Sequence, residues 1–254
     1  MAETAMRIQV DHLCVISDLH LGNPIFLNNH NLSNFLRHLS KNGISLCVNG
    51  DGMDLLQFSL PKIVKDIRST FKMLKDFWLS GKNEIYYVLG NHDIFMKTFL
   101  EELGIFPVTS SLEVISGEKR IHIEHGHSHD YLFQNYQRIY IKIAQFLGKL
   151  LKVHPELFHA YFKIEWFIDW LVYGLKDRKF KQLLGSADDC QKYLQAARKI
   201  LSRGFDIVIF GHSHRHGIHL MEDGKIYANA GTWTARRSHF LEILRGNIRL
   251  REWR

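Results

Sequence analysis

The residues of this chain best suited to chemistry are aspartates and histidines gathered in five short stretches: Ser17-Asp18-Leu19-His20, Gly50-Asp51, Gly90-Asn91-His92-Asp93, His125-Gly126-His127 and Gly211-His212-Ser213-His214. Carboxylate, amide and imidazole groups in this mixture suit a two-metal phosphate hydrolase. Such a site needs oxygen and nitrogen ligands around two divalent ions about 3.5–4 Å apart, with a water clamped between them. Asp51, after Gly50 at the end of an apolar run, is the candidate for a carboxylate that bridges both ions. His92 is the candidate proton donor, because an imidazole exchanges its proton near neutral pH. Any one stretch arises easily by chance in a chain with 16 histidines, but an apolar run ahead of each makes the ordered set specific.

Apolar runs over 12–17, 44–49, 84–89, 120–124 and 206–210 each end in one of these stretches. Most are rich in Val, Ile and Leu, the pattern of strands in sheets covered on both faces. Open α/β sheets place their chemistry in the loops beyond the strand ends. The spacing of Ile63, Val64, Ile67, Phe71, Leu74 and Trp78 predicts an amphipathic helix over 61–80, with Gly81 as its stop. A second helix is predicted over 186–203, with Ser186 and Asp189 as a cap pair and Gly204 as the stop. Asp93 is expected to cap a helix from Ile94. Segments 217–221 and 225–229, split by Asp223-Gly224, and 240–244 and 248–253, split by Arg245-Gly246-Asn247, are predicted hairpins.

The 254 residues suffice for one large α/β domain or a domain with an inserted subdomain, and 46% hydrophobic with 23% charged residues is the balance of a globular protein. Three cysteines, two of them in strand-like runs, argue against a disulfide framework and for a reducing compartment. No stretch of about 18 uninterrupted apolar residues occurs, so the expected location is cytoplasmic. The net charge of +7 favours acidic partners: nucleic acid, an anionic membrane surface or a phosphorylated substrate. Most of that excess lies in 131–183, which also holds 13 of the 31 aromatic residues and lacks strand punctuation. This region reads as helices over about 134–153, 155–173 and 177–184, inserted between the fourth and fifth stretches. Either the insertion packs on its own domain, or its apolar faces hold an acyl chain while Lys and Arg meet phosphate or the inner face of a membrane.

Asp18-x-His20, Gly50-Asp51, Gly90-Asn91-His92-Asp93, His125 and Gly211-His212-x-His214 resemble the signature blocks of the calcineurin-like metallophosphoesterases. The resemblance implies an α/β fold, an αββα sandwich of two mixed β-sheets, with 1–130 and 185–254 as the catalytic domain and 131–184 as a helical insertion. It further implies that Asp18, His20, Asp51 and His214 hold one ion, and that Asp51, Asn91, His125 and His212 hold the other. His92 would serve as general acid or electrostatic partner, with Asp54 orienting it. Mixed O/N ligation suits Mn²⁺, Fe or Zn²⁺ about equally, and the resemblance favours Mn²⁺. His127 and Arg215 are candidate substrate contacts.

The helical insertion, the overall length and Gly50-Asp51-Gly52-Met53-Asp54 also resemble the bacterial UDP-2,3-diacylglucosamine diphosphatases of lipid A precursor synthesis. The chain departs from them at His92, where they usually have Arg, and at His127, where they have Asp. The expected reaction is therefore hydrolysis of a phosphodiester or pyrophosphate bond, with UDP-2,3-diacylglucosamine as leading substrate. A general phosphodiesterase or nuclease is the alternative, and a non-catalytic scaffold of the same fold is the third reading. A protein phosphatase ranks low, because Leu55-Leu56 follows Asp54 where Arg-Gly would be expected.

Overall fold

The computed structural model describes residues 5–21, 29–54, 83–93, 106–130, 191–233 and 238–253, together with positions 72, 74–77, 79 and 142. Its strands are β1 (Met6–Gln9), β2 (His12–Ile16), β3 (Ser45–Asn49), β4 (Ile85–Val88), β5 (Val108–Thr109), β6 (Ser111–Ser116), β7 (Lys119–Glu124), β8 (Ile207–Phe210), β9 (Gly217–Leu220), β10 (Ile226–Asn229), β11 (Ser238–Leu244) and β12 (Asn247–Trp253). They form two six-stranded sheets, ordered β1-β6-β7-β8-β10-β9 and β12-β11-β2-β3-β4-β5. Both are mixed. In the second, β2 to β5 run parallel and β11 and β12 are antiparallel. In the first, β7, β8 and β10 are parallel, flanked by antiparallel pairings.

Alternation along each strand divides the core into layers. Leu13, Val15, Cys47, Tyr86 and Val88 face the other sheet and meet Leu112, Val114, Ile121, Ile123, Ile207 and Ile209. Their neighbours Cys14, Ile16, Leu46, Val48, Ile85 and Tyr87 point outward and pack under helix α1 (Asn29–Asn42). On the far side, helix α2 (Gln191–Leu201) sets Tyr193, Ala197, Ile200 and Leu201 on Val208, Phe210 and Tyr227. Helix, sheet, sheet and helix thus stack as the expected αββα sandwich. Strands β2, β3, β4 and β8 are buried almost throughout, as their unbroken apolar runs require.

Both C-terminal hairpins form in the expected places, β9 with β10 and β11 with β12. Of the helix expected over 61–80, Lys72, Leu74, Lys75, Asp76, Phe77 and Leu79 are described and are helical. Helix α2 falls within 186–203, residues 186–190 lying outside the described set. Helix α1 is not among the elements predicted from the sequence, although Leu32, Phe35, Leu36 and Leu39 follow helical spacing and are buried. Gly43, at φ 67°, closes that helix. The helical insertion expected at 131–184 lies outside the described residues apart from position 142. Among the described residues, no helix is long and apolar enough to cross a membrane. Cys14 and Cys47 are buried free thiols, and burial raises both well above the usual thiol range.

Candidate metal centre

The parallel strands β2, β3 and β4 end on the same edge of the sandwich as β7 and β8, so the five stretches meet there. Backbone hydrogen bonds lace the loops together: Asp18 N to Gly50 O at 3.1 Å, His20 N to Asp51 O at 2.8 Å, Gly211 N to His125 O at 3.0 Å and Trp233 N to Asp18 O at 3.3 Å. Glycines permit this closeness. A Cβ on Gly50 would enter the His125 ring, and one on Gly90 would enter the Asp51 carboxylate.

The backbone itself marks the cluster. Among the described residues seven non-glycines have positive φ, and five of these are Asp18 (55°), His20 (46°), Asp51 (51°), His212 (63°) and His214 (58°). The other two, Asp223 and Arg245, sit in the hairpin turns. A left-handed conformation costs an ordinary residue about 1–3 kcal/mol and persists only where its surroundings impose it. Five of the seven candidate ligands carry this cost, which the packing of the loops must offset.

Donor atoms converge in two groups that meet at Asp51. Asp18 Oδ1 lies 3.1 Å from His214 Nε2, which is 3.4 Å from His20 Nε2. His125 Nε2 lies 3.3 Å from Asp51 Oδ2 and 3.2 Å from Asn91 Oδ1. Asp51 Oδ2 is also 3.9 Å from both His20 Nε2 and His92 Nε2. Three sets of donor atoms fall within 4.8 Å of one another: Asp18–His20–His214, Asp51–His125–His212 and His20–Asp51–His92. All seven expected ligands are thus in one place. Asp18, Asp51, Asn91 and His125 are fully buried, while His212 and His214 form the more open side.

This donor set fits divalent cations. His125 Nδ1 sits 2.8 Å from Asn49 O, which can only accept, so Nδ1 carries a hydrogen. In the neutral ring Nε2 then presents a lone pair to a carboxylate oxygen and an amide oxygen, an arrangement that repels unless a cation or a proton lies between. Asp18 Oδ1 is buried, with His214 Nε2 3.1 Å away but not aligned for a hydrogen bond, and poses the same demand. The protonation energetics agree. Burial would lower the His125 ring, but Asp51 and Asp18 raise it to about 9. Burial would likewise raise Asp18, yet His214 and His125 hold it down at about 2, and Asp51 is held well below its usual value by His125 and His92. Positive charge is favoured at this spot whether a proton or a metal supplies it.

His92 takes its orientation from Asp54, whose Oδ1 is 2.8 Å from His92 Nδ1. The same fully buried carboxylate turns Oδ2 towards His20 Nδ1 at 3.5 Å, so it faces two rings and holds His92 by the shorter contact. Burial opposes the charge of Asp54, but His92 and His20 keep it well below the carboxylate range. The rings of His20 and His92 meet edge to face at 4.7 Å.

The remaining candidates fall nearby. His127 opens a single 3-10 turn, with its ring 5.5 Å from His125 and 6.4 Å from His212. Desolvation first, then those two rings, lower it to about 3, so it is neutral at the edge of the cluster. Arg215 follows His214, half-buried, its N–H donating to Ser213 Oγ at 3.4 Å. His129 is turned to Glu124, 2.5 Å away, and belongs to a structural pair.

Several residues that shape the site were not found from the sequence. Asp93, expected to cap a helix from Ile94 that lies outside the described residues, is turned inward and fully buried; it accepts from Gly52 N at 2.9 Å, Gly90 N at 2.6 Å and Tyr87 OH at 2.6 Å. It braces the loops after β3 and β4, and burial with the nearby Asp51 raises it to about 6. Asn49 supplies the carbonyl beneath His125, and Ser17 Oγ lies 2.5 Å from Asp18 Oδ2. Asn229 donates to Gly211 O at 2.8 Å. Asp130 Oδ2 lies 3.4 Å from His212 Nε2. Their shared signal is a polar residue at or just beyond a buried strand end, too common to single out.

The sequence profile of the calcineurin-like phosphoesterases matches residues 12–216, a span containing all five stretches. The chain belongs to that family. No curated protein matches it at a significant level. Among solved structures, Vacuolar Protein Sorting 29 from Cryptosporidium parvum is similar over 95% of this chain and 96% of its own, at 18% identity and TM-score 0.45. A conserved predicted phosphoesterase from Streptococcus pneumoniae is similar over 95% and 97%, at 14% identity and TM-score 0.41. Vps29 from Entamoeba histolytica complexed with Zn²⁺ covers 95% and 97%, at 14% identity and TM-score 0.43. Likeness at this level says nothing of what the present chain binds.

Proposed function

We propose that this chain is a two-metal-dependent phosphohydrolase cleaving a phosphodiester or pyrophosphate bond, with Asp18, His20, Asp51 and His214 holding one ion and Asp51, Asn91, His125 and His212 the other. The observation that carries this reading is the buried His92–Asp54 pair set beside the converging lone pairs around Asp51. A scaffold that only needed the fold would have no use for a carboxylate-oriented imidazole there. Two divalent ions in this donor set would neutralise the phosphoryl oxygens and make hydroxide available near neutral pH; Mn²⁺ is favoured, with Fe or Zn²⁺ suited to the same donors.

The chain's own part is orientation and proton transfer. Asp54 accepts from His92 Nδ1–H and favours the imidazolium, leaving Nε2–H to face the reacting centre and give its proton to the leaving oxygen. His127, neutral at the rim, and Arg215 are proposed substrate contacts.

The leading substrate is UDP-2,3-diacylglucosamine, on the strength of chain length, Gly50-Asp51-Gly52-Met53-Asp54 and the aromatic and basic composition of 131–184. In this reading 131–184 takes the acyl chains and brings the protein to the inner face of a membrane. Incubation of purified protein and Mn²⁺ with that substrate should release UMP. Hydrolysis of a generic diester such as bis(p-nitrophenyl) phosphate without UMP release would overturn the lipid substrate and keep the reaction class. No hydrolysis of either, with two ions bound, would overturn the enzyme. Cleavage of oligonucleotides that weakens steeply with salt would make the protein a nuclease instead.

A further inference from the structure

Asp130 and Lys192 form an ion pair that reaches the candidate metal centre from outside it. Lys192 Nζ lies 3.1 Å from Asp130 Oδ2, and His212 Nε2 lies 3.4 Å from the same oxygen. The three residues come from separate elements: Asp130 follows the 3-10 turn after β7, Lys192 is on the first turn of α2, and His212 is in the loop after β8. Both charged side chains are close to nine-tenths buried. A lysine is rarely so enclosed without a partner it serves. Lys192 Nζ also lies 4.8 Å over the Tyr193 ring, and that ring stands 6.3 Å from His212. Asp130 itself is held by its N–H, which donates to His127 O at 3.0 Å.

We propose that Asp130 is a positioning residue for His212, and that Lys192 holds Asp130 in place for that task. An imidazole that donates Nε2–H to a carboxylate has its lone pair on Nδ1, which is then the nitrogen left for the cluster with Asp51 and His125. The carboxylate thus selects the ring tautomer and its rotation. Asp130 and Lys192 are 62 positions apart in the chain, so the ion pair joins two distant segments at one candidate ligand. The proposal rests on the reading of the cluster as a metal centre.

The test uses the full chain with Asp130→Ala, Asp130→Asn and Lys192→Met. Long-range ¹H–¹⁵N spectra of the metal-free, ¹⁵N-histidine-labelled protein report the tautomer of each ring, with His212 assigned through His212→Gln. The parent should show His212 protonated on Nε2, and Asp130→Ala should lose that preference. Mn²⁺ titration against a chromophoric chelator should show one of two ions weakened about 10–100-fold in Asp130→Ala, the range for removing such a supporting partner. Lys192→Met should fall between Asp130→Ala and the parent. Asp130→Asn, which keeps an accepting oxygen, should restore most of the affinity; if the alanine variant fails to fold, Lys192→Met is the test, and parental affinity for both ions there overturns the role of Lys192 and Asp130. An unchanged tautomer, or two ions bound with parental affinity in Asp130→Ala, overturns the proposal. A parent that binds no Mn²⁺ overturns the metal-centre reading instead, and the tautomer of His212 alone then decides the role of Asp130.

Discussion

The carboxylate of Asp54 holds His92 by a 2.8 Å contact between Oδ1 and Nδ1, and both side chains are buried. That contact fixes which ring nitrogen of His92 faces Asp51. If His92 is the proton donor, His92→Ala should lower turnover by about 10²–10⁴-fold while both ions remain bound. Asp54→Asn should lower turnover by less, about 10–100-fold, and should also disturb His20. Steady-state kinetics with metal analysis in parallel separates the two effects, and unchanged turnover in His92→Ala would remove it from the mechanism.

Asp51 is shared between the two groups of donors, so its removal should differ in kind from removal of any other ligand. Asp51→Ala should lose both ions, whereas His214→Ala should retain the ion held by Asn91, His125 and His212. Metal content after gel filtration, read by plasma emission, distinguishes these outcomes. Equal loss in the two variants would deny Asp51 its bridging place.

Gly90→Ala should shift the loop after β3 and fail to bind metal normally, because the new Cβ would occupy the space of the Asp51 carboxylate and press on the Asp51 backbone nitrogen. Gly224→Ala is the contrast: its Cβ meets nothing within 4 Å, and its effect should be confined to the turn, where φ is 69°. Comparing Mn²⁺ affinity in the two variants checks that the close approach at Gly90, and not glycine flexibility, is what the site requires.

A pH-dependent contribution is expected from Glu242 on β11, which reaches across both neighbouring strands to His12 Nε2 at 3.1 Å and Arg251 Nε at 2.6 Å. Burial opposes its charge, but Arg251 and His12 lower its pKa below the ordinary glutamate value of 4.5. With the folded pKa depressed, the stabilisation is present above 4.5 and is lost as pH falls below it. Because Arg251 is half-exposed, solvent screens the pair and the contribution is about 0.5–1 kcal/mol. Glu242→Gln should therefore unfold at a lower temperature than the parent at pH 7, with the difference shrinking below pH 4. A difference independent of pH would assign the effect to packing.

The convergence of the candidate ligands was largely legible in the sequence because each group lies at or just beyond the end of a buried strand, so apolar run and polar residues appear side by side, as in Val15-Ile16-Ser17-Asp18 and Ile209-Phe210-Gly211-His212. The supporting groups were not. Asp93 precedes Ile94 in the manner of a helix cap, and only the folded loops show that Gly52 N, Gly90 N and Tyr87 OH need its carboxylate. Asp130 reaches His212 from 82 residues away, a distance that no local pattern spans. Strand β1 alternates between partial burial and exposure, β6 between partial and full burial, and both lack the unbroken apolar character that marked β3 or β8. Helix α1 has the right spacing, but its many Asn, Ser and His residues diluted the pattern.

The most direct measurement is anomalous diffraction from crystals of the protein grown with Mn²⁺. Two anomalous peaks about 3.5–4 Å apart, both touching Asp51 and flanked by Asp18, His20 and His214 on one side and by Asn91, His125 and His212 on the other, are the expected result. A cluster closed on itself by hydrogen bonds, with no peak between Asp51 and these side chains at saturating Mn²⁺ or Zn²⁺, would contradict the account.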